Sequence, residues 1–146
     1  MNLYGNDMDE AHHPLECGLA WTVAFEPSDR DFLGREALES ARRAGHLQFV
    51  GLFLEDRGVL RSHQKVMAPP DAAAPDFDAT AAIAAAVPAG EVTSGTFSPT
   101  LNRSIALARV PQTSSATLQV DIRGKLHTAR VVKPPFVRHG KALIDI

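Results

Sequence analysis

Arg138 is the side chain of this 146-residue chain with the best-defined chemistry. It closes the segment Lys133-Pro134-Pro135-Phe136-Val137-Arg138. A guanidinium presented by a stiff Pro-Pro stretch can grip a carboxylate through two parallel hydrogen bonds. The competing reading is a strand end followed by a solvated charged tail, His139-Gly140-Lys141. Thr93-Ser94-Gly95-Thr96 gathers three hydroxyls. A hydroxyl nucleophile needs a base beside it in space, and no spacing here supplies one. Such hydroxyls at a strand end more simply bind the backbone of the following turn, where Pro99 fixes φ. Gly95 and Pro99 together therefore predict a tight corner between strands. Cys17 is the only cysteine. Its nearest ionisable neighbour in sequence, Glu16, has the wrong charge to favour a thiolate, so Cys17 reads as a small buried side chain. His12-His13 are adjacent and would face opposite ways on an extended backbone, which makes a poor chelate. His46, His63, His127 and His139 are scattered. There is no phosphate loop, no Gly-x-Ser-x-Gly elbow and no cysteine pair at metal spacing, so no metal is expected.

Composition narrows the classes. Apolar residues make up 45%, a globular value, and the length permits a sizeable core without staples. The net charge is −2, with 15 basic and 17 acidic side chains. A nucleic-acid footprint needs a basic surface, so no nucleic acid is expected as a partner. One cysteine fits a reducing compartment. No apolar run reaches the roughly 20 residues of a membrane helix. The first residues match neither a signal peptide nor an Arg-rich transit peptide, and a cytoplasmic location is expected.

The elements that must position these residues follow from local pattern. Gly18–Phe25 (GLAWTVAF) has strand length and composition. Asp31–Gly45 predicts a helix. Asp31 is its expected N-cap, Phe32 or Leu33, Ala37, Leu38 and Ala41 share one face, and Arg42 and Arg43 sit in the last turn. Gly45 is its expected terminator. Short strands are predicted at Gln48–Leu54, Gln64–Met67, Gly90–Ser94, Ser104–Val110, Thr117–Ile122 and Leu126–Lys133. Turns lie at Glu55–Gly58, where Gly58 can take positive φ, and at Arg123-Gly124-Lys125. Leu118, Val120 and Ile122 alternate with Gln119 and Asp121, as in a half-buried antiparallel strand. Many short strands joined by turns imply a barrel or a sandwich. Ala68–Gly90 holds eleven alanines and four prolines and reads as an exposed insertion between two strands, with a short Ala-rich helix possible at Asp78–Val87.

Several stretches together resemble one enzyme family. Met1-Asn2-Leu3-Tyr4-Gly5-Asn6-Asp7-Met8-Asp9-Glu10 is similar to the LYG-[NQ]-D-[MI]-D-E element of the aminomethyltransferases, the T-proteins of the glycine cleavage system. Trp21-Thr22-Val23, DFLGREAL from Asp31, Val50-Gly51-Leu52, Arg57-Gly58-Val59-Leu60-Arg61, the stretch Gly90–Leu101 and Lys133–Arg138 follow in the family's order. The resemblance spans nearly all of the chain outside 68–88. It implies a mainly β fold: a Greek-key-like six-stranded β-barrel over 47–146, with 68–88 as a loop insertion. Residues 1–46 would be a strand and helix remnant ending the folate-binding middle domain.

The resemblance also implies chemistry. The whole enzyme moves a methylene from an aminomethyl-lipoyl H-protein to tetrahydrofolate and releases ammonia. The family's catalytic aspartate and a folate-contacting arginine belong upstream of residue 1. No residue here is therefore expected to be catalytic, and this chain alone is expected to be inactive. Asp7 and Asp9 read as parts of a turn. Arg138 is expected to reach the glutamate tail of the folate, and Tyr4 and Trp21 are the aromatic candidates for its cleft. Residues 1–46 should expose apolar surface that favours self-association. Three other readings are a free-standing barrel that docks a partner through the insertion, a truncated-gene remnant, and the C-terminal domain of a dimethylglycine or sarcosine dehydrogenase-type folate enzyme.

Overall fold

A computed structural model describes residues 2–68, 88–112 and 115–145. Six antiparallel strands close into a barrel in the order β1-β4-β3-β2-β5-β6. They are β1 (Gln48–Leu54), β2 (Lys65–Met67), β3 (Pro88–Ser98), β4 (Arg103–Val110), β5 (Thr117–Ile122) and β6 (Lys125–Val132). β2, β3 and β4 form a meander, and β1 returns beside β4, which is a Greek-key connection. Closure comes from β1 pairing β6, with Leu52 opposite Val131. A closed barrel leaves no long unpaired edge. The expected mainly β, six-stranded fold is what the chain adopts.

The barrel interior follows from the period-two pattern. Leu52 and Leu54 of β1, Val92 of β3, Ala106, Ala108 and Val110 of β4, and Leu118 and Val120 of β5 are buried together, with Ile122 packed against them. Alanines on β4 and Ala129 on β6 leave room for the leucines that face them. The β5–β6 turn has positive φ at Arg123 (57°) and Gly124 (78°), the two-residue geometry that matches strand twist. Asp121 Oδ1 accepts from the Gly124 N–H at 2.7 Å.

Several expectations need correction. Gly18–Phe25 is not a strand. It holds a 3-10 turn at Ala20–Thr22, where the Thr22 hydroxyl donates to Leu19 O at 2.7 Å. The helix α1 runs Arg35–Ala44, and its N-cap is Gly34 at φ 86°, not Asp31. Asp31 binds the N–H of its own neighbour, Phe32. Gly45 does end the helix at positive φ, and Arg42 and Arg43 occupy the last turn. The corner lies at Pro99–Asn102, with Asn102 at φ 50°, while Gly95 stays inside β3. The Leu101 N–H is held by Ser98 Oγ, not by the expected hydroxyls of Thr93, Ser94 and Thr96, which lie inside β3. Gly58 is not among the glycines at positive φ; a Cβ there would stand 3.2 Å from both Ile122 Cδ1 and Leu54 Cδ2, so its smallness matters. The Ala/Pro-rich insertion, including the short helix expected at Asp78–Val87, lies almost wholly outside the described residues.

Before the barrel, residues 2–46 run as turns and α1. Two glycines let outlying segments lie on β1. A Cβ on Gly18 would stand 2.8 Å from Phe49 Cδ1, and one on Gly51 would stand 2.9 Å from Phe136 Cζ. After β6, a hairpin of β7 (Val137–Arg138) and β8 (Lys141–Ala142) ends the described chain.

Candidate functional site

Strand β4 sets the site. Its inward residues fill the barrel, so Ile105 and Leu107 face outward and are only half-buried. Two adjoining clefts lie over them. One, of about 400 Å³, is walled by Asn2, Gly18, Phe49, Ser98 and Thr100 on one side and Pro134–Val137 on the other. The second, of about 320 Å³, is lined by Leu3, Ser94, Gly95, Thr96 and Phe136. Ile105, Leu107 and Phe136 belong to both. The N-terminal turn and the Pro-Pro-Phe segment, over 120 positions apart in sequence, therefore border one surface that mixes apolar side chains with the hydroxyls of Ser94, Thr96, Ser98 and Thr100. That is a common composition for a small-molecule cleft.

Arg138 follows Val137, a cleft residue, and stands exposed beside the β7–β8 turn. That turn is built by His139 (φ 51°) and Gly140 (φ 75°). Lys141 is directly opposite Arg138 across the hairpin. Among the described residues neither cation has an ion-pair partner. Like charges facing one another across strands destabilise the pair unless water or an anion intervenes. Tyr4 follows the cleft residue Leu3 and is 71% exposed. Trp21 is 82% exposed and lines neither cleft. The geometry thus brings the neighbours of Tyr4 and Arg138 to adjoining walls and leaves Trp21 outside them.

A buried polar knot ties the N-terminal turn to the barrel. Asp7 is wholly buried. Its Oδ2 accepts from the Leu3 N–H at 2.8 Å, and its Oδ1 accepts from the Thr93 hydroxyl at 2.5 Å. Arg109, a charged residue in an otherwise apolar stretch of β4, is buried as well. Its Nη2 donates to Asp7 O at 2.7 Å and its Nε to Glu16 O at 3.2 Å. Cys17 is buried 3.9 Å from that Nη2. The expected buried role for the thiol holds, with a cationic neighbour that its sequence surroundings gave no sign of. The lone charge in the Ile105–Val110 run was the visible signal for this knot; the burial of Asp7 had none.

The histidines take separate partners. His12 Nδ1 and Asp9 Oδ1 are 2.6 Å apart, and this hydrogen bond holds the Asp9 carboxyl below its ordinary value of 3.8, with help from the Ala11 N–H and Arg109. His13 lies 3.7 Å from Glu16 and edge-on to His46. Among the described residues no group of three or more His, Cys, Asp or Glu side chains could hold a metal ion. No helix among them is long and apolar enough to cross a membrane.

Comparison with known proteins gives this barrel its family. The sequence profile of the glycine cleavage T-protein C-terminal barrel domain matches residues 48–138. The chain belongs to this T-protein barrel family. The T-protein match extends beyond the barrel in full-length relatives. The chain is 54% identical over 147 residues to an aminomethyltransferase of Methylococcus capsulatus, covering 100% of this chain and 36% of that protein. It is 51% identical over 145 residues to one of Pseudomonas syringae pv. tomato, covering 99% and 36%. The crystal structure of glycine cleavage system aminomethyltransferase T from Bartonella henselae superposes with a TM-score of 0.71 at 25% identity, over 94% of this chain and 35% of that one. The chain thus spans about a third of the length of the relatives it matches.

Proposed function

We propose that this chain forms the C-terminal part of a tetrahydrofolate-dependent aminomethyltransferase of the glycine cleavage system. In that reaction the aminomethyl carbon leaves a lipoyl sulfur carried by the H-protein, its methylene joins tetrahydrofolate, and ammonia departs. The observation that carries this reading is the facing pair Arg138 and Lys141, exposed and without an anionic partner among the described residues, beside a cleft whose walls include Leu3 and Phe136. Such a pair suits the carboxylates of a folate glutamate tail. Arg138 is the main contact in this reading, Tyr4 lines the cleft mouth, and Trp21 serves as an outer aromatic contact. No side chain here is assigned a catalytic role. Positioning of the two reactants accounts for what these residues add.

Leu3, Tyr4, Trp21 and Leu33 are exposed apolar residues of the segment before β1. In this reading they meet the remaining two-thirds of an aminomethyltransferase, and without it they favour self-association of the chain. The test is an ammonia-release assay dependent on H-protein and tetrahydrofolate. The 146-residue chain alone stays at the non-enzymatic background. Adding the N-terminal two-thirds of the Methylococcus capsulatus relative raises the rate. Turnover by the chain alone, or a mixture that stays at background, counts against the reading.

A further inference from the structure

We infer that Asp7 and Thr93 are positioning residues of the proposed folate cleft. Their hydrogen bonds fix the Leu3–Met8 turn against β3, and that turn sets where Leu3 stands at the cleft wall and how Tyr4 is presented beside it. The inference rests on the folate reading above and adds residues to it.

Beside Asp7 and Thr93, the turn is docked by Asn6 Nδ2, which donates to Ser62 Oγ at 3.3 Å, and by Arg109 Nη2, which donates to Asn6 O at 3.4 Å and Asp7 O at 2.7 Å. Leu3 and Tyr4 are mostly exposed, so packing fixes neither. The turn's own backbone bonds, Asp7 N–H to Leu3 O at 2.8 Å and Gly5 N–H to Met8 O at 2.8 Å, shape it but do not dock it. The Asp7 side chain adds the contact that joins the turn to β3. One carboxylate oxygen holds the Leu3 N–H within the turn, and the other takes the Thr93 hydroxyl from the barrel. Thr93 Oγ1 is also 3.1 Å from Leu107 O, but it has one proton, and the shorter contact to a carboxylate is the stronger acceptor. Leu107 and Ser94, next to Thr93, both line the cleft beside Leu3. Arg109 holds the far side of the turn through Asp7 O.

A buried carboxylate is a poor choice for stability alone, because its desolvation offsets much of what its bonds return. An apolar anchor of the same volume would hold a turn at lower cost. It would not fix the turn's orientation as two directed hydrogen bonds do. The same knot therefore orients the cleft wall, and disturbing it should change ligand affinity by way of Tyr4.

The test uses the 146-residue chain with tetrahydrofolate as the titrant. Thr93→Val removes the hydroxyl while keeping the shape. It should raise Kd by up to about tenfold, because binding must then re-order the loosened turn. Thr93→Ser should restore the affinity. Amide exchange should quicken at Leu3–Met8 in the valine variant and stay unchanged in β1 and β4. Because the effect passes through Tyr4, Thr93→Val and Tyr4→Ala should be non-additive in a double-mutant cycle. If the valine variant does not fold, Asp7→Asn replaces it with the same expectations. Unchanged affinity in Thr93→Val, or additivity with Tyr4→Ala, overturns the positioning role and leaves the folate reading standing. Absence of tetrahydrofolate binding by the unsubstituted chain overturns the folate reading and this inference with it.

Discussion

Gly95→Ala tests how the barrel is built at the strand that carries the hydroxyl cluster. On a relaxed strand this change should stabilise, by about 0.4–1 kcal/mol, because alanine loses less backbone entropy on folding. Here the sign reverses. A Cβ on Gly95 would stand 2.5 Å from Leu60 O, 2.6 Å from Leu60 C and 3.0 Å from Arg61 N, all backbone atoms. Restoring a tight carbon–carbon contact of about 3.5 Å requires the two backbones to separate by about 0.9 Å. Leu60 cannot retreat freely. Its side chain is wholly buried in the barrel. Its N–H donates to Ser104 Oγ at 2.8 Å, and that hydroxyl donates in turn to Thr96 O at 3.0 Å, on the same strand as Gly95. Opening the gap therefore stretches a bonded loop that closes within β3 and β4. Overpacking of this kind costs about 1–3 kcal/mol, and here the upper half of that range applies because backbone must move. The net loss should be about 2 kcal/mol, a fall in Tm of roughly 4–8 °C for a chain of this size. Urea denaturation followed by circular dichroism should show a lower midpoint with an unchanged slope. A midpoint equal to or above that of the unsubstituted chain would refute the close-approach argument.

Two further outcomes follow from the same structure. In His12→Ala the Asp9 carboxyl should titrate higher, toward 3.8, by carbon-detected NMR, because its largest depressing contact is gone. Since the folded Asp9 pKa is depressed, the stability linked to Asp9 ionisation is present above the ordinary carboxylate value and fades as pH falls through the folded pKa; an unchanged Asp9 titration would refute this. Replacing Trp21 and Leu33 together by serine should lower self-association, read as a smaller mean mass by light scattering at high protein concentration. An unchanged mass would show that these residues do not mediate it.

Much of the barrel was legible because its signals are local. Alternation of Leu118 and Val120 with polar neighbours, and Arg123-Gly124 between two such runs, specify β5, β6 and their turn without outside help. Gly18–Phe25 misled because an apolar run of strand length says nothing about whether a partner edge exists. Among the described residues no strand pairs with it, and the Thr22 hydroxyl stabilises a turn instead. Asp31 misled because Gly34 at positive φ restarts the chain direction just before α1. At the site, Arg138 is visible through its Pro-Pro lead, but nothing local in His139-Gly140-Lys141 separates a solvated tail from the tight turn that sets Lys141 opposite Arg138. The Asp7–Thr93–Arg109 knot joins residues more than eighty positions apart, and only the fold brings them together.

The folate reading turns on what Arg138 does. A calorimetric titration of the unsubstituted chain and of Arg138→Ala with tetrahydrofolate measures it. Saturable one-site binding is expected, weakened roughly ten- to hundredfold in Arg138→Ala, the loss expected for a charged hydrogen-bonding pair. Equal affinity in the two proteins, or no binding to either, would contradict it.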